Sequence, residues 1–144
     1  MTVEELEALV GTSFPGGTYT IEPYEHWLMT DAVGATPNRE GTAHPMYAYY
    51  GALAGMGMSV DDVFVRVGAT ADDGPMFGEA GIEVLCPLQI GATYAVTGVF
   101  ESALRKEGRK AGVFDIVGFR LELRDANGEL AAVSTNSWIF PRRG

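Results

Sequence analysis

The chain has 144 residues, of which 47% are hydrophobic and 20% charged, a size and composition typical of one globular domain with a substantial core. Its formal net charge of −9 argues against a general nucleic-acid-binding protein, because such proteins neutralise phosphates with Lys and Arg. With one cysteine and two histidines, the chain can form no internal disulfide and has too few ligands for most metal sites.

The N-terminal part of the chain is predicted to contain two short helices and one strand. Thr2 is a candidate N-cap for a helix over residues 3–10, and residues 19–21 alternate as a short strand. Pro23 is placed where a helix can begin, which predicts a helix over residues 24–33 with His26 on its surface. No basic segment followed by an apolar one opens the chain, so we expect no signal peptide and a cytoplasmic location.

Residues 43–58 contain no charged side chain and are predicted to form the central helix of the fold. Apolar groups occur in every direction around a helical wheel, so we expect this helix to be buried on all sides. Pro45 suits its first turn, where a missing N–H costs little. The stretch is shorter than the roughly 20 apolar residues that span a membrane, so we expect no membrane association.

The rest of the chain reads as strands separated by turns. The predicted strands are residues 61–67, 76–86, 92–104, 113–124 and 129–140. Residues 105–110 form a charged connection, residues 125–128 carry a hairpin signal, and Cys86 is expected to be a small buried residue. An apolar helix followed by a run of strands predicts one α+β domain over residues 1–144, in which an antiparallel sheet wraps around the central helix.

Short motifs along nearly the whole chain resemble the MaoC-like acyl-CoA hydratase/dehydratase family, which has the hotdog fold. The matching segments, in order, are residues 9–15, 32–34, 43–46, 77–79, 87–94, 125–130 and 138–142. Each is short, and it is their order and spacing together that carry the resemblance.

The resemblance implies a tunnel that binds an acyl thioester on coenzyme A or an acyl carrier. It implies no cofactor, since coenzyme A or phosphopantetheine is part of the substrate. Hotdog units normally pair, because one curved sheet leaves an edge and half a tunnel exposed. The family adds water reversibly across a 2-enoyl thioester, using an Asp and a His in "G-D-x-N-P-x-H" and the N–H of a Gly at the start of the central helix.

This sequence departs from the family at all three catalytic positions. Ala35 stands where the Asp would be, Arg39 or Glu40 where the His would be, and Pro45 where the Gly would be. An alanine methyl cannot carry a proton, and proline has no N–H. Losing one such oxygen donor typically costs about 10²–10³ in rate. The chain therefore looks most like the degenerate, substrate-binding half of two-part members of the family.

The remaining candidate residues each have an ordinary structural interpretation beside the functional one. His44, Asp31 and Glu40 are the candidate catalytic residues. The candidate substrate-binding residues are Asn38, Pro45, Met46, Tyr49, Tyr50, Arg105, Lys106, Arg109 and Lys110. The four basic residues among them would attract the phosphates of coenzyme A or of phosphopantetheine, or else form a solvated hairpin end.

The sequence leaves several functions open. The leading hypothesis is a binding subunit of a hydratase or dehydratase in fatty-acid, polyketide or steroid side-chain metabolism, as a homodimer or in a heteromer with a catalytic hotdog subunit. A self-sufficient hydratase with a rearranged site is the second. An acyl-CoA thioesterase is the third, although the central helix offers no carboxylate as its base. A ligand-binding or scaffolding protein with no acyl substrate is the fourth.

Overall fold

The computed structural model describes residues 1–36 and 40–142, and it confirms the predicted α+β architecture. The helices are α1 (Val3–Glu7), α2 (Pro23–Ala32), α3 (Tyr47–Gly55) and α4 (Val60–Arg66), with a short 3₁₀ helix at Ala71–Asp73. The strands are β1 (Gly17–Thr20), β2 (Met76–Val84), β3 (Thr93–Gly108), β4 (Gly112–Arg124) and β5 (Leu130–Arg142). None of the described helices is long and apolar enough to cross a bilayer.

The five strands form one antiparallel sheet in the order β1-β3-β4-β5-β2, and its concave face packs on α3. Helix α3 contacts all five strands. The alternation predicted for β4 is confirmed, because Val117, Phe119, Leu121 and Leu123 are all buried on the inner face. The two edge strands differ: β1 has four residues, whereas β2 has nine residues that are all exposed.

Helix α3 is buried on one side only, so the expectation of burial on all sides is wrong. Tyr47, Ala48 and Ala52 are buried against the sheet, whereas Tyr50 keeps 50% of its surface exposed on the other side. The sheet wraps around part of the helix circumference and leaves the rest open. At the C-terminal end, Gly55 allows close approach, because a Cβ there would collide with the side chain of Val96.

Residues 61–67 were predicted as a strand, and this prediction is wrong, because α4 occupies them. Ser59 caps the helix: its Oγ accepts the Asp62 N–H at 3.1 Å, and Asp62 Oδ2 accepts the Ser59 N–H at 2.8 Å. Val63 and Val67 are buried one turn apart on one face. The capping pattern and this spacing outweigh the strand propensity of the valines.

Three further details differ from the sequence predictions. Helix α1 ends at Glu7 rather than at residue 10, although Thr2 caps it as expected. Strand β3 continues to Gly108, so residues 105–108 belong to a long hairpin rather than to a loop. Cys86 is exposed at a bend beyond the end of β2, so the expectation that it is buried is wrong.

Candidate functional site

A pocket of about 270 Å³, with polar side chains among its lining residues, lies where the chain passes from α2 to the start of α3. Its lining residues are His26, Thr30, Thr36, Thr42, Ala43, His44 and Pro45. Helix α2 contributes His26 and Thr30, which are buried one turn apart on the same face. The pocket therefore contains two of the residues predicted from the sequence, His44 and Pro45.

The two histidines of this pocket are linked through the backbone. His26 Nε2 accepts the backbone N–H of His44 at 3.0 Å, and His44 Nδ1 accepts the backbone N–H of Met46 at 3.2 Å. An imidazole nitrogen that accepts an N–H carries no proton itself, so both rings are neutral in this arrangement. The proton of His26 is therefore on Nδ1, and that of His44 is on Nε2.

His26 was expected at the surface, and this expectation is wrong, since only 4% of the residue is exposed. Burial, together with the nearby His44, lowers the pKa of His26 and so favours its neutral form. Its ring stacks on Tyr47 with the centroids 5.9 Å apart. The spacing of His26 and Thr30 on a predicted helix was the available signal for a buried polar face.

Neither of the two candidate catalytic carboxylates lines the pocket. Asp31 is exposed on α2, and Glu40 is exposed in the turn that follows the loop. Among the described lining residues there is no Asp or Glu. Asn38, a predicted substrate-binding residue, and Arg39 lie outside the described residues.

A second cavity region runs along α3 and the edge strand β2, and we call it the α3–β2 groove. One part, of about 300 Å³, is lined by Met46, Tyr49, Phe77, Ala80 and Ile82. The adjoining part, of about 250 Å³, is lined by Tyr49, Leu53, Val60, Phe64, Pro75, Met76, Phe77 and Trp138. Nearly all of these side chains are apolar, so the groove suits a hydrocarbon chain.

Met46 and Tyr49, two of the predicted substrate-binding residues, line this groove, whereas Tyr50 is not among its lining residues. The ring of Tyr50 lies edge-on to Tyr47 and Tyr49 at the exposed side of α3. Burial, followed by the neighbouring Tyr50, raises the pKa of Tyr49, which keeps its phenol protonated. Sequence analysis missed Phe77 and Trp138 as lining residues, because they lie on different strands, and only their cross-strand pairing brings them together.

Arg105, predicted to bind phosphate, forms an ion pair with Asp115, a carboxylate that is fully buried. Arg105 donates to Asp115 at 2.7 and 2.9 Å, and Arg142 donates to the same carboxylate at 2.6 Å. Burial alone would raise the pKa of Asp115, but the hydrogen bonds from Arg105 and Arg142 outweigh it and lower the pKa. Arg105 therefore has a structural role that the sequence analysis missed.

The other three basic candidates lie at the end of the β3–β4 hairpin. Lys106, Arg109 and Lys110 are all exposed there. Exposed cations on a hairpin end are free to contact a phosphate of a bound ligand.

Strand β2 is the long free edge of the sheet. Phe77 and Ile82 on this strand are exposed, although large apolar side chains are normally covered. Strand β2 pairs with β5 on one side, and no described strand pairs with its other side. An unpaired edge of this length is a template for pairing with another chain.

Over residues 1–36 and 40–142, no three His, Cys, Asp or Glu side chains are grouped closely enough to hold a metal ion. No protein-family model matches the chain, and no curated protein matches it in sequence.

Several solved structures share the fold. The C-terminally truncated HadBC (3R-hydroxyacyl-ACP dehydratase) complex of Mycobacterium tuberculosis matches with a TM-score of 0.67 and 17% identity, covering 91% of this chain and 96% of that one. The ChsH1-ChsH2 complex of the same organism matches with a TM-score of 0.66 and 11% identity, covering 99% and 90%. The MaoC-like dehydratase of Rhodospirillum rubrum matches with a TM-score of 0.56 and 14% identity, covering 100% and 99%.

These matches show that the chain has the hotdog fold. The sequence resemblance to the MaoC-like family predicted this fold, and the prediction is confirmed. Two of these three solved structures are described as complexes.

Proposed function

We propose that this chain is a MaoC-like acyl-thioester-binding subunit that works with a catalytic hotdog partner in a hydratase or dehydratase. The observation that supports the proposal most strongly is the pairing of an apolar groove with a pocket that has no carboxylate among its described residues and whose two histidines already accept backbone N–H groups. The α3–β2 groove offers apolar walls along α3. The pocket at the start of α3 offers two neutral histidines and, among its described residues, no carboxylate.

The chemistry of water addition explains why this pocket is a poor catalytic site. The reaction needs a base to activate water, an acid to protonate carbon, and donors to the thioester oxygen. Both histidines already accept backbone N–H groups, at 3.0 and 3.2 Å, so the nitrogens that would act as bases are occupied. Pro45 offers no N–H to the thioester oxygen.

The free edge of β2 supports a partner beside the groove. Phe77 and Ile82 belong both to this edge strand and to the groove wall, so a chain that pairs with β2 would close the groove into a tunnel. An antiparallel pairing of two copies about Gly81 would place Glu79 of each copy opposite Glu83 of the other. Like charges directly opposite one another destabilise a sheet, so we propose a different hotdog subunit rather than a second copy.

The substrate is proposed to be an acyl group on coenzyme A or on the phosphopantetheine of an acyl carrier, with no further cofactor. The exposed cations Lys106, Arg109 and Lys110 are proposed to contact its phosphates. The metabolic setting proposed is fatty-acid, polyketide or steroid side-chain metabolism in the cytoplasm.

The test combines a binding assay with an activity assay. The purified chain should bind octanoyl-CoA in a calorimetric titration, and it should not hydrate crotonyl-CoA or 2-decenoyl-CoA. Adding a MaoC-like subunit with an intact Asp/His motif should produce hydration of 2-decenoyl-CoA that neither subunit gives alone. Turnover by this chain alone at an ordinary rate of about 10 s⁻¹ would contradict the proposal.

A self-sufficient hydratase is the second candidate, and the position of His44 is what favours it. His44 lines the pocket and carries its proton on Nε2, so it can donate a hydrogen bond to a thioester oxygen without leaving its backbone hydrogen bond. If the chain alone hydrates an enoyl-CoA, His44→Ala should abolish the activity, and unchanged activity would rule out His44 as the catalytic residue. Release of free coenzyme A in a thiol assay would instead indicate a thioesterase.

A further inference from the structure

Tyr49 carries the accessible polar atom of the α3–β2 groove. Of the described residues that line the groove, only Tyr49 and Trp138 have a nitrogen or oxygen atom in the side chain. Trp138 Nε1 is buried, so a molecule in the groove does not contact it. Tyr49 Oη is not among the buried unpaired atoms, and it has no hydrogen-bond partner among the described residues. The described wall of the groove therefore has one unpaired donor for a bound ligand, the phenol of Tyr49.

The backbone N–H groups just before and at the start of α3 are already used or missing. The His44 N–H donates to His26 Nε2 at 3.0 Å, and the Met46 N–H donates to His44 Nδ1 at 3.2 Å. The Tyr47 N–H donates to the His44 carbonyl oxygen at 3.1 Å. Pro45 has no N–H. A helix N-terminus normally offers free N–H groups to an acceptor, but residues 44–47 offer none to the oxygen of a bound thioester.

Tyr49 lies on the same side of the helix as this first turn. The Ala48 N–H donates to the Pro45 carbonyl oxygen at 2.9 Å, so the helical winding begins at Pro45. Residues three and four apart share a helix face, which places Tyr49 above both Pro45 and Met46. Long side chains on a helix point back towards its N-terminus, which directs the phenol towards the first turn. In agreement, Met46 and Tyr49 line the same part of the groove.

We propose that the Tyr49 phenol donates a hydrogen bond to the carbonyl oxygen of the bound acyl thioester, in place of the backbone N–H that Pro45 lacks. This inference rests on the proposed acyl-binding function and adds the residue that holds the thioester in the groove. A thioester oxygen is an acceptor that arrives without a donor, and the phenol is a donor without an acceptor among the described residues. Burial raises the pKa of Tyr49, so the phenol retains the proton that it donates.

His44 is the other side-chain donor close to the first turn, through its Nε2–H. It lines the pocket at the start of α3 and is not among the lining residues of the groove. An acyl thioester that lies in the groove therefore meets Tyr49 rather than His44. Variants of the two residues distinguish these donors.

The first test compares two ligands that differ in the carbonyl oxygen. They are octanoyl-CoA and S-octyl-CoA, a thioether that has no carbonyl group, and calorimetric titration measures both affinities. The wild-type chain should bind octanoyl-CoA about fivefold more tightly than S-octyl-CoA. Tyr49→Phe should reduce this preference to less than about twofold, by weakening octanoyl-CoA binding alone.

The neighbouring Tyr50 provides the matched control. Tyr50→Phe removes the same hydroxyl group one residue along α3, from a side chain that does not line the groove, so the preference for octanoyl-CoA should persist. Tyr49→Phe keeps the ring and removes no hydrogen bond between described residues, so this variant should fold with the stability of the wild type.

The second test observes the hydrogen bond on the ligand. A hydrogen bond to a carbonyl oxygen weakens the C=O bond, so the infrared stretch of bound [1-¹³C]octanoyl-CoA should lie at a lower wavenumber in the wild-type chain and in Tyr50→Phe than in Tyr49→Phe. A role of the Tyr49 ring in packing alone would leave this band at the same wavenumber in all three proteins.

Failure of this inference and failure of the proposed function give different results. A preference and a carbonyl band that are unchanged in Tyr49→Phe would overturn the role of Tyr49 and leave acyl binding intact. Loss of the preference in His44→Ala but not in Tyr49→Phe would assign the donor to His44 and would also overturn the inference. If neither ligand binds the wild-type chain, the acyl-binding function itself is overturned, and the role of Tyr49 with it.

Discussion

The buried carboxylate of Asp115 provides the sharpest test of how this fold is held together. Asp115→Asn keeps the shape of the side chain but removes its charge and one acceptor oxygen. The guanidinium groups of Arg105 and Arg142 then lose their counter-ion and face an amide N–H₂. Removing one partner of a buried ion pair lowers the free energy of unfolding by about 3–5 kcal/mol. The two arginine side chains remain 25% and 17% exposed, so they regain some hydration, and the lower value of about 3 kcal/mol is expected.

The chain contains a matched control for this substitution. Glu122 also accepts from two arginines, Arg120 at 3.1 Å and Arg124 at 2.7 Å, but its side chain is 25% exposed, and those of the two arginines are 33% and 41% exposed. Exposed pairs contribute about 0–1 kcal/mol. Glu122→Gln should therefore cost less than about 1 kcal/mol, so the two variants differ mainly in burial.

Urea unfolding followed by circular dichroism measures both variants at pH 7. Asp115→Asn should lower the urea midpoint without a change in slope, whereas Glu122→Gln should leave the midpoint nearly unchanged. Equal midpoints for the two variants would refute the argument that burial sets the strength of the Asp115 cluster.

The cluster also predicts a dependence of stability on pH. The pKa of Asp115 is lower in the folded chain than the unfolded value of about 4. Its contribution to stability is therefore fully present above about pH 4 and is lost as the pH falls through the folded-state pKa. The difference in the free energy of unfolding between the wild type and Asp115→Asn should be largest at neutral pH and should become smaller in acid.

Two further predictions concern the ligand and the end of α3. Lys106→Glu combined with Lys110→Glu should weaken octanoyl-CoA binding but not octanoyl-pantetheine binding, because the latter lacks the nucleotide phosphates. The free energy of unfolding of this double variant should change by less than about 0.5 kcal/mol, and equal weakening of binding for both ligands would contradict the phosphate contact. At the end of α3, Gly55→Ala should lower the free energy of unfolding by about 1–3 kcal/mol, because the added Cβ collides with Val96. In urea unfolding, Val96→Ala should relieve part of this cost in the double variant, and strictly additive costs would contradict the collision.

The parts of the fold that the sequence predicted are those governed by regular periodicity. Strand β4 alternates between buried and less buried residues, and residues 43–58, which include α3, contain no charged side chain. Both elements therefore follow from local sequence pattern. Helix α4 was missed because the sequence analysis gave more weight to the strand propensity of the valines than to the capping signal at Ser59. Local pattern fails where two local signals compete, and packing then decides between them.

The candidate site was only partly predictable, for a different reason. His44 and Met46 come just before α3 and Tyr49 lies in its first turn, so their positions beside the candidate site could be inferred. The partner of Arg105 could not, because Asp115 comes from the next strand, and only the β3–β4 register pairs the two. The same holds for the groove, since Trp138 joins it through pairing with β2.

The exposed edge of β2 has a consequence for how the chain can be produced. Strand β2 presents unpaired backbone together with uncovered apolar side chains on a segment without proline, which is the combination that favours cross-β aggregation. A surplus of this chain over the proposed partner is therefore expected to aggregate, and the yield of soluble material should rise on co-expression with that partner. Glu79 and Glu83 lie on the same strand, and their like charges are expected to slow such self-association.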